Sequence, residues 1–366
     1  MSAARDFLFD LSGISLPQSG NYTWKSPSNI ALVKYWGKSE PQIPKNASVS
    51  FTLSQSHTVT RINFEKKALT EERRLQIFLD GALKESFRPK VAKFIERIKE
   101  YVPFLDFYHL GIHTHNSFPH SSGIASSASG LSALALCIMS LEKELNPKMG
   151  EVYFKRKASF LARLGSGSAC RSIEGEIVVW GKHEAVQNSS DLFGIKLTSD
   201  IHPVFHQYQD TILLVDEGEK EVSSSLGHHL MVGHPFAEER FRQANDNLKK
   251  LLVVLKTGDL DEFNRIVEGE ALSLHAMMMT SQPSFILMKP NTLRIIEKIR
   301  EFRKNSNCKV CFTLDAGANV HVLYPKKELD PVKAFILSEL LPLCQHNKFI
   351  QDASGPGASQ FLEDYF

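Results

Sequence analysis

A run of small residues at 119–130 (PHSSGIASSASG) is the strongest candidate for a binding loop in this chain of 366 residues. From Ala125 to Gly130 every residue is Ala, Ser or Gly, so backbone amides can approach a ligand closely. A buried helix is predicted directly afterwards, and its first turn adds free N–H groups and the positive end of a helix dipole. The combination predicts a phosphate-binding loop, although no Gly-Lys-Ser/Thr ends it as in a Walker A loop. A turn that is small only for close packing is the alternative.

A second segment places Lys34 and Lys38 four residues apart, on either side of Tyr35 and Trp36. Lysine presents a compact positive charge to a phosphate or carboxylate, and the tyrosine hydroxyl can add a neutral hydrogen bond. Taken alone, the pattern is more typical of an edge strand with ordinary surface lysines.

Three further loops combine small residues with a charge. Residues 165–172 (GSGSACRS) carry Arg171, whose guanidinium can hold a carboxylate by two-point contact; a flexible linker is the alternative. Residues 220–227 (KEVSSSLG) are a hydroxyl-rich loop or a serine linker. Residues 315–319 (DAGAN) put Asp315 at a turn between two apolar strands, where a carboxylate that caps its own backbone is the commoner case.

Hydrophobic patterns of period 2 and period 3.6 predict an α+β chain whose elements position these loops. The domain boundary is predicted near residue 205, because the polar segment 188–210 lacks a clear helical pattern, which gives domains 1–205 and 206–366. The predicted strands are 47–64, 75–80, 109–117, 177–180, 211–218 and two within 310–324, and the predicted helices are 89–101, 131–145, 151–164, 236–256, 259–275, 292–304 and 331–347.

The composition excludes several classes of protein. The chain has 43 Lys and Arg against 41 Asp and Glu, and a formal charge of +2 gives no global field for nucleic acid or an anionic membrane. The apolar segment 7–16 is interrupted by Asp10 and is a poor signal peptide, and the longest apolar run, 131–141, is short of the roughly 20 residues of a membrane span. Cys308 and Cys311 are interpreted as reduced core thiols rather than a redox or zinc pair, so we expect a cytoplasmic protein.

Taken in order, these segments resemble the diphosphomevalonate decarboxylase family of the GHMP kinase superfamily. The superfamily is recognised by the loop at 119–130, and the decarboxylases by NIALVKYWGK at 29–38, GSGSACRS at 165–172 and TLDAGAN at 313–319. The resemblance implies ATP-dependent decarboxylation of (R)-5-diphosphomevalonate to isopentenyl diphosphate, ADP, phosphate and CO2, through transient phosphorylation of the C3 hydroxyl. It also implies a two-domain α+β fold, with a left-handed βαβ unit and the phosphate loop in the N-terminal domain and a ferredoxin-like C-terminal domain. Family members are commonly homodimers.

The resemblance assigns roles to particular residues. Asp315 matches the catalytic aspartate at the C3 hydroxyl, Lys34 the lysine near Asp315 and the transferring phosphate, and Arg171 the arginine that holds the C1 carboxylate. ATP and Mg²⁺ are the implied cofactors, and Ser127 is the candidate metal contact. Positions that contact the substrate match Tyr35, Lys38, Ser166, Ser168 and Ser224, and the nucleotide loop comprises Pro119, Ser122, Gly123, Ala125, Ser126 and Ser127.

Two positions depart from the family pattern. Ser225 stands where many bacterial decarboxylases carry an arginine that helps to bind the diphosphate, and His228 stands where many carry methionine. His228 and His229 either replace part of the missing charge or are surface residues. The alternatives are therefore a decarboxylase of 5-phosphomevalonate, a mevalonate-type kinase without decarboxylation, and a non-catalytic nucleotide-binding homologue.

Overall fold

The computed structural model describes residues 2–68, 70–119, 124–198, 200–218 and 224–361. Ser122, Gly123 and Lys220, which the sequence analysis singled out, lie outside these ranges. The side chains of Ser224 and Ser225 also lie outside the described part of the chain.

Three sheets, of eight, four and two strands, and the helices between their strands make up the described chain, as the α+β prediction requires. In chain order the strands are β1 (Ser19–Val33), β2 (Lys38–Ser39), β3 (Ile43–Pro44), β4 (Ser48–Lys66), β5 (Leu75–Leu79), β6 (Ala82–Leu83), β7 (Tyr108–Asn116), β8 (Ile177–Trp180), β9 (Ile195–Lys196), β10 (Gln209–Leu213), β11 (Cys311–Thr313), β12 (Val320–Tyr324), β13 (Phe349–Ala353) and β14 (Ser359–Gln360). The α-helices are α1 (Ser2–Arg5), α2 (Arg88–Ile98), α3 (Ser126–Leu145), α4 (Glu151–Gly165), α5 (Ser224–His229), α6 (Ala237–Thr257), α7 (Leu260–Met279), α8 (Pro290–Ser306) and α9 (Leu329–Phe335).

The larger sheet has the strand order β14-β1-β4-β7-β5-β6, and β8 pairs with the first residues of β4 and with β9. Its pairs are antiparallel except β5 with β7, which run parallel and flank α2 in the sequence. The register of β1 against β4 shifts between Pro27 and Asn29 and again between Ala31 and Val33. After the second shift the chain leaves the sheet at Lys34.

The smaller sheet is antiparallel, with the order β11-β12-β10-β13. The turn between β11 and β12 carries residues 314–319, so the predicted pair of strands around Asp315 is confirmed.

A hydrophobic core shared by both sheets holds the two halves of the chain together. Phe51 of β4 stacks on Phe263 of α7, and Tyr208 packs edge-on against the same Phe263 ring. Leu251 of α6 is also fully buried in this core. Burial of large apolar side chains is worth about 1.5–3 kcal/mol each, so this contact fixes α6 and α7 against the larger sheet.

The predicted helices at 89–101, 131–145, 151–164, 236–256, 259–275 and 292–304 are confirmed as α2, α3, α4, α6, α7 and α8. The predicted helix at 331–347 is wrong in its second half, since α9 ends at Phe335 and gives way to a π turn and then a 3-10 turn at Leu341–Leu343. Pro342 lies in this 3-10 turn and has no backbone N–H for an α-helical hydrogen bond, so the helix does not continue to residue 347. No helix of the described residues is both long and apolar enough to cross a membrane.

Candidate active site

Lys34 and Asp315 form an ion pair between the ends of strands from the two sheets. Lys34 is the first residue after β1, and Asp315 lies two residues after β11. Lys34 Nζ is 3.0 Å from Asp315 Oδ1. The lysine side chain is only 2% exposed, whereas the aspartate side chain is 32% exposed and can meet a ligand. Burial lowers the pKa of Lys34, and the charge of Asp315 opposes this effect.

Arg171 lies in a 3-10 turn, Gly167–Ser172, that follows α4. Its Nε donates to Asn29 Oδ1 at 3.3 Å and its Nη1 donates to Ser48 Oγ. Among the described residues no carboxylate lies within 4.0 Å of this buried guanidinium, although Asp315 is close enough to raise its pKa against the lowering by burial. A buried cation held only by neutral groups calls for an anionic ligand, because desolvation of an unpaired charge is costly.

The strand β1 connects three of the predicted segments. Ser28 Oγ donates to the carbonyl of Ile124, within the loop predicted at 119–130, at 2.9 Å. Asn29 Nδ2 donates to the carbonyl of Ser168 at 3.3 Å and to Ser172 Oγ at 2.8 Å, which holds the turn of Arg171. The same strand then leads into Lys34, so one element positions the loop, the arginine and the lysine.

The rings that follow Lys34 in the chain pack against His228 and Trp180 in tilted and edge-on arrangements. The ring of Tyr35 lies 4.1 Å from that of His228 and 4.6 Å from that of Trp180, and His228 lies 4.6 Å from Trp36. The buried hydroxyl of Tyr35 has no hydrogen-bond partner among the described residues. Burial raises the pKa of this hydroxyl, which keeps it a neutral donor.

His228 corrects the sequence analysis, which took it as a replacement charge or a surface residue. Its side chain is buried, and its Nδ1 accepts a hydrogen bond from the Gly37 amide at 2.9 Å. Burial, reinforced by the charges of Lys38 and Arg171, lowers the pKa of His228 to about 3. The ring is therefore neutral at physiological pH and adds no positive charge. His229 is exposed, as the surface alternative holds.

The remaining substrate positions have different surroundings. Lys38 is half-buried and its Nζ donates to Gln42 Oε1 at 2.7 Å, while burial lowers its pKa. Ser166 follows the end of α4 and Ser168 lies in the turn of Arg171, both of them half-buried. The backbone of Ser224 begins α5.

The loop predicted at 119–130 is wrong in its second half, because α3 already begins at Ser126 and includes Gly130. Ala125 adopts the left-handed conformation with φ 37°, immediately before Ser126 and Ser127 in the first turn of the helix, and Pro119 is exposed. A cavity of about 180 Å³ opens beside that first turn. Its walls are mostly apolar and include Ile77, Leu79, Val91, Ile112 and Leu134, with Ser126, Ser127 and Gly130 at the helix. This cavity is a candidate pocket for a flat, partly apolar base, which the sequence analysis did not assign.

Two family models match the chain. Residues 26–191 match the diphosphomevalonate decarboxylase-like N-terminal domain, and residues 211–363 match the mevalonate 5-diphosphate decarboxylase C-terminal domain. The diphosphomevalonate decarboxylase of Ganoderma lucidum is 30% identical over 337 residues, which cover 86% of this chain and 81% of the relative. The chain belongs to the diphosphomevalonate decarboxylase family.

Solved structures of family members have the same fold as this chain. The mevalonate diphosphate decarboxylase of Enterococcus faecalis, in a study of mevalonate diphosphate mediated ATP binding, superposes with a TM-score of 0.79 at 28% identity, covering 94% of this chain and 99% of that chain. A chain described as MDDEF, in complex with MVAPP, AMPPCP and magnesium, gives a TM-score of 0.80 at 29% identity, with the same coverage. The two-domain α+β fold expected from the resemblance is thereby confirmed.

Several residues that organise this family member's site were not found from sequence. Asn29 lies within the quoted motif but received no role, and Ser48 begins β4. Glu270 and His275, both on α7, bind the backbones of Lys34 and Asp315. Their local signal is a glutamate and a histidine on the buried face of a helix, which shows that partners exist but not which ones they are.

Proposed function

We propose that this chain is an ATP-dependent decarboxylase that converts (R)-5-diphosphomevalonate to isopentenyl diphosphate, ADP, phosphate and CO2. The observation that supports this most is the buried guanidinium of Arg171, without a carboxylate partner among the described residues, beside the Lys34–Asp315 pair. A 3-hydroxy acid offers a carboxylate to the arginine and a hydroxyl to the aspartate at the same time. A plain kinase of an alcohol does not need the arginine.

The first step transfers a phosphoryl group. The C3 hydroxyl oxygen attacks the γ-phosphorus of ATP, its proton passes to Asp315, and the bond from the γ-phosphorus to the β,γ-bridging oxygen breaks to release ADP. Lys34 pairs with Asp315 at 3.0 Å and lends its positive charge to the transferring group. In a loose phosphoryl-transfer transition state, positioning and charge neutralisation contribute more than proton removal.

The second step breaks two bonds. The C3–O bond breaks and phosphate departs with its electron pair, which leaves C3 electron-poor. The C1–C2 bond then breaks, its electron pair forms the C2=C3 double bond, and CO2 leaves. Arg171 holds the C1 carboxylate in place until this bond breaks. The departing phosphate is the electron sink, so no pyridoxal, thiamine or flavin is needed.

The nucleotide is proposed to bind at the first turn of α3, with its base in the cavity beside Ile77 and Leu134. The helix N-terminus and the small residues around Ser126 suit phosphate groups. Mg²⁺ usually keeps several waters and binds substrate phosphates with few protein oxygens, which fits the single hydroxyl of Ser127 at this place. When bound, the metal neutralises charge on the phosphate oxygens of ATP.

The diphosphate end of the substrate is assigned to Tyr35 and Lys38, with Ser166, Ser168 and Ser224 as further contacts. The neutral state of His228 removes one cation that the sequence suggested for this end. That observation favours a second candidate, decarboxylation of 5-phosphomevalonate, which carries less charge to neutralise.

The proposal also covers the oligomeric state, the cellular location and the domain boundary. The resemblance supports a homodimer, and the even charge balance and reduced cysteines support a cytoplasmic location. The change from the larger to the smaller sheet between β9 and β10 supports a domain boundary near 205, giving units 1–205 and 206–366, although β14 returns to the larger sheet.

The deciding experiment compares mevalonate, its 5-phosphate and its 5-diphosphate with MgATP and purified protein, scoring ADP, phosphate and CO2 separately. We expect equal amounts of all three products from the 5-diphosphate. Release of ADP without CO2 would contradict decarboxylation and indicate a kinase. Faster turnover of the 5-phosphate would select the second candidate, and no ADP with any substrate would indicate a non-catalytic homologue.

A further inference from the structure

The helix α7 contacts both members of the Lys34–Asp315 pair through their backbones. Glu270 Oε2 accepts a hydrogen bond from the Lys34 amide at 2.8 Å, and His275 Nε2 lies 3.1 Å from the Asp315 carbonyl oxygen. We infer that α7 sets the alignment of the Lys34–Asp315 pair, with Glu270 and His275 as positioning residues for the reaction. The kinetic part of this inference rests on the proposed function, whereas its structural part does not.

Lys34 needs such support because β1 ends one residue earlier. Its amide and carbonyl have left the ladder with β4, and buried backbone groups must find other partners. Glu270 binds the amide, and Asn46 Nδ2 donates to the carbonyl at 3.0 Å. Both backbone groups of the lysine are therefore held by side chains, which places its ammonium for Asp315.

Glu270 is itself held firmly. The carboxylate is fully buried, and both of its oxygens accept from the guanidinium of Arg240 on α6, one of them at 3.1 Å. Asn247 Nδ2 adds a third donor at 2.7 Å. A buried ion pair is a weak source of stability compared with apolar side chains of similar volume, so its stability alone does not explain this arrangement. Its distinctive contact is the one with the Lys34 amide.

His275 holds the backbone of Asp315, as Glu270 holds that of Lys34. A carbonyl oxygen only accepts hydrogen bonds, so Nε2 carries the proton and donates it. The ring is 1% exposed, and burial lowers its pKa to about 4, which keeps it in this neutral form near physiological pH. Asp315 lies in the turn after β11, where the backbone is not paired in the sheet.

A single rigid element thus spans the two catalytic residues, which lie 281 positions apart in the sequence. Glu270 and His275 are five positions apart on one helix, so the backbones of Lys34 and Asp315 are tied to one common frame. Catalysis by positioning is sensitive to displacements of about 1 Å. Loss of the contacts from α7 should therefore lower kcat and leave KM nearly unchanged.

The first test replaces His275. His275→Phe removes the donor and keeps a ring in the core, whereas His275→Gln supplies an N–H at a similar reach. Loss of one hydrogen bond predicts about a tenfold lower kcat for His275→Phe, with KM for both substrates within threefold of the wild type, and recovery in His275→Gln. An unchanged kcat in His275→Phe, or an equal loss in both variants, would overturn the role of His275.

The second test removes the Glu270–Arg240 pair as a unit, by Glu270→Met with Arg240→Met, so that no unpaired charge stays buried. The matched control is Glu268→Met with Arg303→Met, because Glu268 of the same helix pairs with Arg303 through both oxygens and contacts neither catalytic residue. We expect at least a tenfold fall in kcat for the first double variant and less than a twofold change for the control, at comparable melting temperatures. Equal losses in both would overturn the inference.

Crystal structures of the same variants separate this inference from the proposed function. The distance from Lys34 Nζ to Asp315 Oδ1, 3.0 Å in the intact protein, should lengthen beyond hydrogen-bond range in the first double variant and in His275→Phe, but not in the control. An unchanged distance would refute the positioning role whatever the enzyme turns over. If the wild type failed to act on diphosphomevalonate while the distance lengthened, only the proposed function would fall.

Discussion

The replacement Asp315→Asn tests the catalytic assignment most directly. The amide has nearly the same shape as the carboxylate, and the backbone bond from His275 to the carbonyl of residue 315 is not altered. What is lost is one negative charge, both as the partner of the C3 hydroxyl and as the counter-ion of Lys34.

The size of the electrostatic loss follows from the 3.0 Å separation in the ion pair. At an effective dielectric constant of about 20, two unit charges at that distance attract by about 5–6 kcal/mol. Asp315 is about one-third exposed, and solvent screening reduces the value to a few kcal/mol. The pKa of Lys34, which burial already lowers, should therefore fall further in the variant, and its ammonium becomes less available to the transferring phosphate.

We expect kcat to fall by about 10²–10⁴-fold, the usual contribution of a positioned acid–base group, with KM for the substrate within a few-fold of the wild type. ADP and CO2 are measured separately with saturating MgATP and diphosphomevalonate, and a thermal melt confirms folding. Asp261→Asn is the control, since this aspartate is 73% exposed and pairs with Lys309 at the surface. A kcat for Asp315→Asn within tenfold of the wild type would refute the assignment.

Three further predictions follow from the site. Arg171→Met should raise KM for the hydroxy acid about 10- to 100-fold while KM for ATP stays within threefold, because it removes a charge-assisted contact; equal effects on both substrates in steady-state kinetics would contradict the carboxylate role. Gly130→Phe should fill the cavity beside α3 and raise KM for ATP at least tenfold, whereas Gly130→Ala, whose added Cβ meets no atom closer than 4.0 Å, should change neither KM. The pKa of His228 is about 3 in the folded chain and 6.5 in the unfolded chain. As the pH falls below 6.5, the unfolded chain therefore takes up a proton on His228 before the folded chain does, and the free energy of unfolding decreases. His228→Phe should therefore reduce the acid-dependent loss of unfolding free energy by up to about 1.4 kcal/mol per pH unit between pH 6 and 4, and urea titrations that give the wild-type slope would show that His228 is not buried and neutral.

Local patterns in the sequence determined the elements and the motifs. Apolar spacing predicted α6 and α7 and the strand pair around Asp315, because period and turn chemistry act over a few residues. The helix predicted at 331–347 ends as an α-helix at Phe335, and the prediction gave the apolar pattern more weight than Pro342, a local signal against a helix through 347.

Only the tertiary structure decided which groups meet and in what charge state. Lys34 and Asp315 approach from sites 281 residues apart, and the Lys34 amide finds Glu270 at a separation of 236. The sequence shows His228 as a titratable residue, but burial against Tyr35 and Trp36 makes it neutral. Desolvation and long-range contact depend on how whole elements pack, and no pattern within a short stretch of chain encodes them.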